Sequence, residues 1–158
     1  MLKLNGPGIV IRRYPDMDDD PDLTQFEFAA TNGGSALSVL LYDSASRFSE
    51  IGAALAAFPR SSSDRWETSF GWQGSAASLT FRAFTTGGGR TCAIGFSAAV
   101  EGNDVVRSDV AFAMESEAAA VNRLGQLLNQ YARLKHIDLF WSPTDGELFA
   151  DERRDLAR

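Results

Sequence analysis

An acidic run near the N-terminus is the pattern in this sequence with the clearest chemical meaning. Its five aspartates are Asp16, Asp18, Asp19, Asp20 and Asp22. Counted from Asp16, with Glu27 at position 12, the carboxylates follow the spacing of an EF-hand calcium loop. Position 6, however, is Pro21, whose fixed φ cannot make the sharp turn that glycine makes there. The sequence therefore predicts a solvated acidic loop over residues 16–22 and no metal site, with weak cation binding in another geometry as the alternative.

The residues that carry nucleophilic or acid–base chemistry are few. Cys92 is the only cysteine and His136 the only histidine, so neither a disulfide nor a zinc site of Cys and His ligands can be built within the chain. His136 is expected just past a helix C-terminus, where a cationic ring interacts favourably with the helix dipole. Cys92 falls in an apolar alternation, which is typical of a core position. No catalytic residue and no cofactor are predicted, and the chain is interpreted as a non-enzyme.

A short aromatic stripe is the second candidate for binding. Trp66, Phe70 and Trp72 alternate on one face of their segment. Such a stripe is usually buried, because large aromatic side chains dominate the energetics of protein cores. An exposed stripe would instead make Trp66 and Trp72 partner-binding residues, together with the five aspartates, since tryptophan is enriched in interface hot spots.

Glycine-rich turns and period-two alternation predict the strands that must position these residues. The turns are Asn32-Gly33-Gly34, Gly87-Gly88-Gly89 and Glu101-Gly102-Asn103-Asp104. Gly87-Gly88-Gly89-Arg90 is not a phosphate-binding loop, because it opens a strand and lacks the Lys-Ser/Thr pair at a helix start. The runs between the turns place apolar residues on one face and small or polar residues on the other, which is typical of an antiparallel sheet covered on one side.

Two segments have helical periodicity instead. In the first, the apolar stripe runs from Phe48 to Phe58, with Asp43 or Ser44 as the cap and Pro59 as the end. In the second, Val121, Leu124, Leu128 and Tyr131 form the stripe and Ser116 is the expected cap. Each helix has one glycine near its stripe, Gly52 and Gly125, which we expect to allow close packing on the sheet.

The order of these elements predicts an α+β fold. We expect a two-layer domain, with an antiparallel meander sheet and two amphipathic helices on one of its faces. A single domain over residues 1–158 fits the chain length. Residues 142–158 form its C-terminal tail, in which Leu148 and Phe149 are expected to dock.

Charge and hydropathy exclude several classes of protein. The formal net charge is −6, and most of the excess lies in the acidic segment, so nucleic acid is not an expected partner. No apolar run is long enough for a signal peptide or a membrane span, and a cytoplasmic protein is predicted.

The order of segments resembles that of small bacterial proteins that include the WapI-family immunity proteins. The resemblance is carried by DMDDDPD before the first long strand, LTQFEFAATNGGSALSVLLYD, then by the short helix RFSEIGAALAAF, a strand meander and the late helix ESEAAAVNRLGQLLNQYARL. It covers most of the chain as a pattern. It implies a cytosolic non-enzyme that binds and blocks a toxin of its own lineage, and it carries no binding residue to a numbered position.

The functional hypothesis is therefore a cytoplasmic protein-binding module, including the immunity type, whose partner is another protein such as a basic toxin domain. A localised negative charge can steer such a partner and speed association. One alternative is a small-molecule-binding or enzymatic domain with a pocket between sheet and helices. Another is a structural subunit of a homo-oligomer that uses a strand edge or the bare sheet face.

Overall fold

The computed structural model describes residues 2–15, 23–71, 77–101 and 107–156. Across these ranges the chain forms nine strands and two α-helices. In chain order they are β1 Gly8–Arg13, β2 Thr24–Thr31, β3 Ala36–Asp43, α1 Ala45–Ala56, β4 Arg65–Phe70, β5 Ala77–Thr86, β6 Thr91–Glu101, β7 Arg107–Ser116, α2 Ala118–Tyr131, β8 Asp138–Trp141 and β9 Gly146–Phe149, followed by one 3₁₀ turn at Arg154–Leu156. None of the described helices is long and apolar enough to cross a membrane.

The strands form two antiparallel sheets. The five-stranded sheet has the order β3-β2-β1-β8-β9, and the four-stranded sheet is the meander β4-β5-β6-β7. The predicted α+β class with antiparallel meander strands is confirmed. The expectation of one sheet is replaced by two, because α1 ends the first set of hairpins and the strands after it pair only among themselves until β8 returns to β1.

The inner faces of the two sheets share one core. Phe28 of β2 packs against Phe96 of β6, with ring centroids 5.3 Å apart, and Phe26 packs against Phe70 at 5.2 Å. Phe48 of α1 contacts both Phe26 and Tyr131 of α2, so the helices complete the same core. Cys92 lies in this core, as predicted, and burial raises the pKa of its thiol.

The two helices pack directly on one another. An added Cβ on Gly125 would lie 2.3 Å from the backbone nitrogen of Ala56, and one on Gly52 would lie 2.5 Å from the Asn129 side chain. The glycines therefore allow close helix–helix contact, and the prediction that they pack on the sheet is wrong. Ser44 caps α1 as predicted, whereas α2 is preceded by Glu117 and the expected cap, Ser116, is the last residue of β7.

Candidate protein-interaction surface

The outer face of the five-stranded sheet exposes large apolar side chains at its β3 edge. Alternation along β3 buries Leu37, Val39 and Leu41 in the core. The same alternation turns Leu40 and Tyr42 outward, with 49% of Leu40 and 37% of Tyr42 exposed. Two large side chains of one edge strand are therefore available to another molecule.

Polar residues of the neighbouring strand lie beside these two side chains. In register, Leu40 lies opposite Glu27 of β2, and Tyr42 lies opposite Gln25. The surface formed here is called the β3 patch below, and it consists of Tyr14, Gln25, Glu27, Ser38, Leu40 and Tyr42.

Glu27 is the polar centre of the β3 patch. Its carboxylate accepts hydrogen bonds from the Ser38 hydroxyl at 2.6 Å, the Tyr14 hydroxyl at 2.9 Å and the Leu2 N–H at 3.0 Å. Burial by itself would raise the pKa of Glu27, but these three hydrogen bonds outweigh it and lower the pKa below its ordinary value. A half-buried negative charge is therefore fixed in the middle of the patch.

The two tyrosines of the patch are held by their hydroxyls. Burial, then the hydrogen bond to Glu27, raises the pKa of Tyr14 to about 12. The Tyr42 hydroxyl accepts from the Gln25 side-chain amide at 2.5 Å. A hollow of about 510 Å³ lies among Tyr14, Gln25, Glu27, Ser38 and Leu40. Anchored aromatic rings beside such a hollow are typical of surfaces that bind another protein.

The acidic segment is joined to the chain at the rim of the β3 patch. The Tyr14 N–H donates to the Gln25 carbonyl at 2.9 Å, so the residues on either side of the segment are held next to one another. Asp16, Asp18, Asp19, Asp20 and Asp22 lie outside the described residues. Their two points of attachment, however, are next to Tyr14 and Gln25.

The structure describes two of the three residues of the predicted aromatic stripe, and they differ in burial. Phe70 is buried in the core. Trp66 is half-buried, and its ring centroid is 6.0 Å from that of Phe81. Trp72 lies outside the described residues. The exposed residues that the sequence analysis missed are Leu40 and Tyr42, for which the run Leu40-Leu41-Tyr42 was the available signal, since it interrupts strict alternation.

The centre of the same outer face is covered by the two ends of the chain. Leu2 packs with Val10 and Ala29, and Leu4 and Phe140 complete this small apolar cluster. Arg12 is buried beside Asp138 and donates to both of its carboxylate oxygens at 2.8 Å.

The tail is fastened to that buried pair. Arg12 also donates to Glu152 at 2.9 Å and to the Arg153 carbonyl at 2.8 Å, while the Arg153 N–H donates to Asp138 at 2.7 Å. The hydrogen bond from Arg12 to Asp138, together with the charges of Asp138 and Glu152, raises the pKa of Arg12. These bonds fix residues 152 and 153 against the sheet.

A cleft of about 480 Å³ lies on this face between residues 3–7 and the β8–β9 hairpin. Its apolar floor includes Phe140 and Phe149, and Arg153 stacks over the Phe149 ring at 4.4 Å. The alternative prediction had its ligand pocket between sheet and helices, and that alternative stays a prediction. Among the described residues, no three His, Cys, Asp or Glu side chains are grouped to hold a metal ion.

The sequence matches no protein-family model and no curated protein. Among solved structures, the fold is similar to that of the plant transcriptional regulator PBF-2, with a TM-score of 0.45 and 14% sequence identity. That similarity covers 84% of this chain and 78% of the other. Nothing about function follows from a likeness this distant.

Proposed function

We propose that this protein is a protein-binding module of the immunity type, and that its β3 patch docks a basic domain of a cognate toxin. The observation that carries the proposal is the exposure of Leu40 and Tyr42 beside the attachment points of the acidic segment. The patch therefore combines exposed apolar and aromatic side chains with negative charge, and aromatic side chains are enriched in protein interfaces.

The chemistry of the patch supports a basic partner. Glu27 holds a negative charge between Leu40 and Tyr14. The segment with the five aspartates lies in the chain between Tyr14 and Gln25, two residues of the same patch. Opposite charges at the rim of an interface speed association, whereas buried apolar and aromatic contacts mainly slow dissociation. The acidic segment is therefore expected to control the association rate constant, and Leu40 and Tyr42 the dissociation rate constant.

The test compares matched variants of the tagged protein in affinity capture at moderate salt, followed by mass spectrometry. The first variant changes the five aspartates to asparagine, and the second is Leu40→Ser with Tyr42→Ser. The control is Val100→Ser, which removes an apolar side chain that is also 37% exposed but lies on β6. We expect one stoichiometric partner with the wild type and the control, and its loss with both patch variants.

The purified partner then separates the two contributions. The asparagine variant should lower the association rate and flatten its salt dependence, while the Leu40 and Tyr42 variant should raise the dissociation rate. For immunity function, the partner produced alone should arrest growth, and co-production of this protein should relieve the arrest. A partner held equally well by every variant would exclude the β3 patch as its binding site.

A further inference from the structure

The outer face of the four-stranded sheet has a pattern that the proposed binding function does not use. Leu79 and Phe81 of β5, and Ile94 and Phe96 of β6, point into the core, so their neighbours in each strand point outward. Both helices bury their apolar residues in that same core, on the inner side of the sheet. This outward surface is called the β4–β7 face below.

Small residues occupy most outward positions of β6 and of the edge strand β7. They are Ala93, Gly95, Ser97 and Ala99 on β6, and Ala111 and Ala113 on β7. Alanine and glycine are depleted in strands, where a solvated face usually has threonine and other β-branched residues. Ala93 and Gly95 are buried within the monomer, whereas the small side chains of the other four positions allow a second surface to approach closely.

Larger side chains line the other half of the face. Arg82 and Phe84 point outward from β5, in register with Gly95 and Ala93 of β6. A Cβ on Gly95 would lie 3.0 Å from the Arg82 guanidinium, so Arg82 lies low across the sheet. Its Nε is buried and has no hydrogen-bond partner among the described residues.

The rows across the face are complementary to themselves. One row runs Arg65, Phe84, Ala93, Glu115, and the next runs Glu67, Arg82, Gly95, Ala113. Consider a two-fold axis that runs parallel to the strands and lies above the line between β5 and β6. It would place β4 of one copy against β7 of a second copy, and β5 of one copy against β6 of the second. Arg65 would then face Glu115, and the larger Glu67 would face the small Ala113.

From this geometry we propose that the β4–β7 face is the interface of a symmetric homodimer. Two-fold interfaces require one patch to complement itself, and these rows do so in charge where Arg65 faces Glu115 and in size where Glu67 faces Ala113. Four strands about 4.8 Å apart give roughly 500 Å² on each copy, about 1,000 Å² in total, which is the lower limit for a specific interface. The dimer is therefore weak and forms reversibly with concentration.

Sedimentation equilibrium over a range of protein concentrations tests the dimer. Glu115→Arg and Arg65→Glu should each weaken dimerisation at least tenfold, because each puts like charges opposite one another. The double charge exchange should restore most of the affinity, which a merely structural role would not do. Glu50→Arg makes the same change of charge at an exposed position of α1 and should leave the dimer unchanged.

Ala111→Arg gives an independent test, because it puts a long side chain at an exposed position of β7, which the proposed axis stacks against β4 of the second copy. We expect a monomer with unchanged circular dichroism. A wild-type protein that stays monomeric up to about 1 mM would overturn the proposal. So would a dimer that tolerates Ala111→Arg and both single charge reversals, since it would then use another surface. Neither outcome bears on the β3 patch, which lies on the other sheet.

Discussion

The outer faces of the two sheets are built in opposite ways. On the five-stranded sheet, residues 2–4 and 152–153 cover a buried ion pair and a small apolar cluster. On the four-stranded sheet, most outward residues of β6 and β7 are small, and both Ala111 and Glu115 are exposed. The first face takes its stability from partners within the chain, whereas the second depends on water or on another molecule.

This difference separates stability from association. A substitution on the covered face breaks contacts in every folded molecule, so it should change the free energy of unfolding. A substitution at an exposed position of the β4–β7 face, such as Arg65, Ala111 or Glu115, should leave the folded monomer nearly unchanged and act on dimerisation.

Arg12→Met should have the largest effect on stability. It leaves the Asp138 carboxylate fully buried without its cationic partner, and removing one member of a buried ion pair costs about 3–5 kcal/mol. Urea denaturation should show this loss in the free energy of unfolding. The double variant Arg12→Met with Asp138→Leu should recover much of it, because no unpaired charge remains. Equal losses in both variants would contradict the role given to the charge.

The same substitution on the two faces gives a direct comparison. Ala29 is 3% exposed and packs with Leu2 and Val10, so Ala29→Thr should cost about 1–3 kcal/mol through overpacking and a buried hydroxyl. Ala111→Thr should change the stability by less than about 0.5 kcal/mol, because the side chain is exposed. Denaturation at low protein concentration measures both. Similar losses at the two positions would remove the distinction between the faces.

The fold could be predicted where its signals are local. Glycine turns and alternation predict the hairpins, and Ser44 with the stripe through Phe48 predicts α1. The division into two sheets was missed because the pairing of β8 with β1 joins residues more than a hundred positions apart. The short strand β9 was anticipated only as docking of Leu148 and Phe149, since four residues carry little periodicity.

The candidate site was only partly accessible to sequence reasoning. The acidic segment is visible as composition, but the contact between Tyr14 and Gln25, which precede and follow it in the chain, depends on how β1 pairs with β2. In the sequence, Glu27 stands at position 12 of the spacing of an EF-hand calcium loop. In the fold, its carboxylate accepts hydrogen bonds from Ser38, Tyr14 and Leu2. Leu40 and Tyr42 alternate with the core residues of β3, so the sequence places them on the other face, but whether another element covers that face depends on the tertiary fold.

Glu27→Gln should reduce stability by about 1–2 kcal/mol, less than the changes at the buried pair. The neutral amide has one acceptor oxygen for the three donors that now share a carboxylate, and hydrogen bonds to charged groups are the stronger ones. Hydrogen exchange should accelerate at the Leu2 amide. Glu50→Gln, which breaks only the exposed ion pair with Arg47, is the matched control and should cost less than about 0.5 kcal/mol.

The smallest expected effect is the contribution of Glu27 to the pH dependence of stability. Because its pKa is lower in the folded protein than the ordinary value of 4.5, the unfolded chain takes up the proton first as the pH falls. The stabilisation is therefore complete above pH 4.5 and is lost as the pH falls through the folded pKa. Unfolding measured from about pH 6 to about pH 3 should show a shallower decline for Glu27→Gln than for the wild type. Parallel curves would mean that Ser38, Tyr14 and Leu2 hold the carboxyl group equally well in its neutral form, and the fixed charge at the centre of the β3 patch would have to be abandoned.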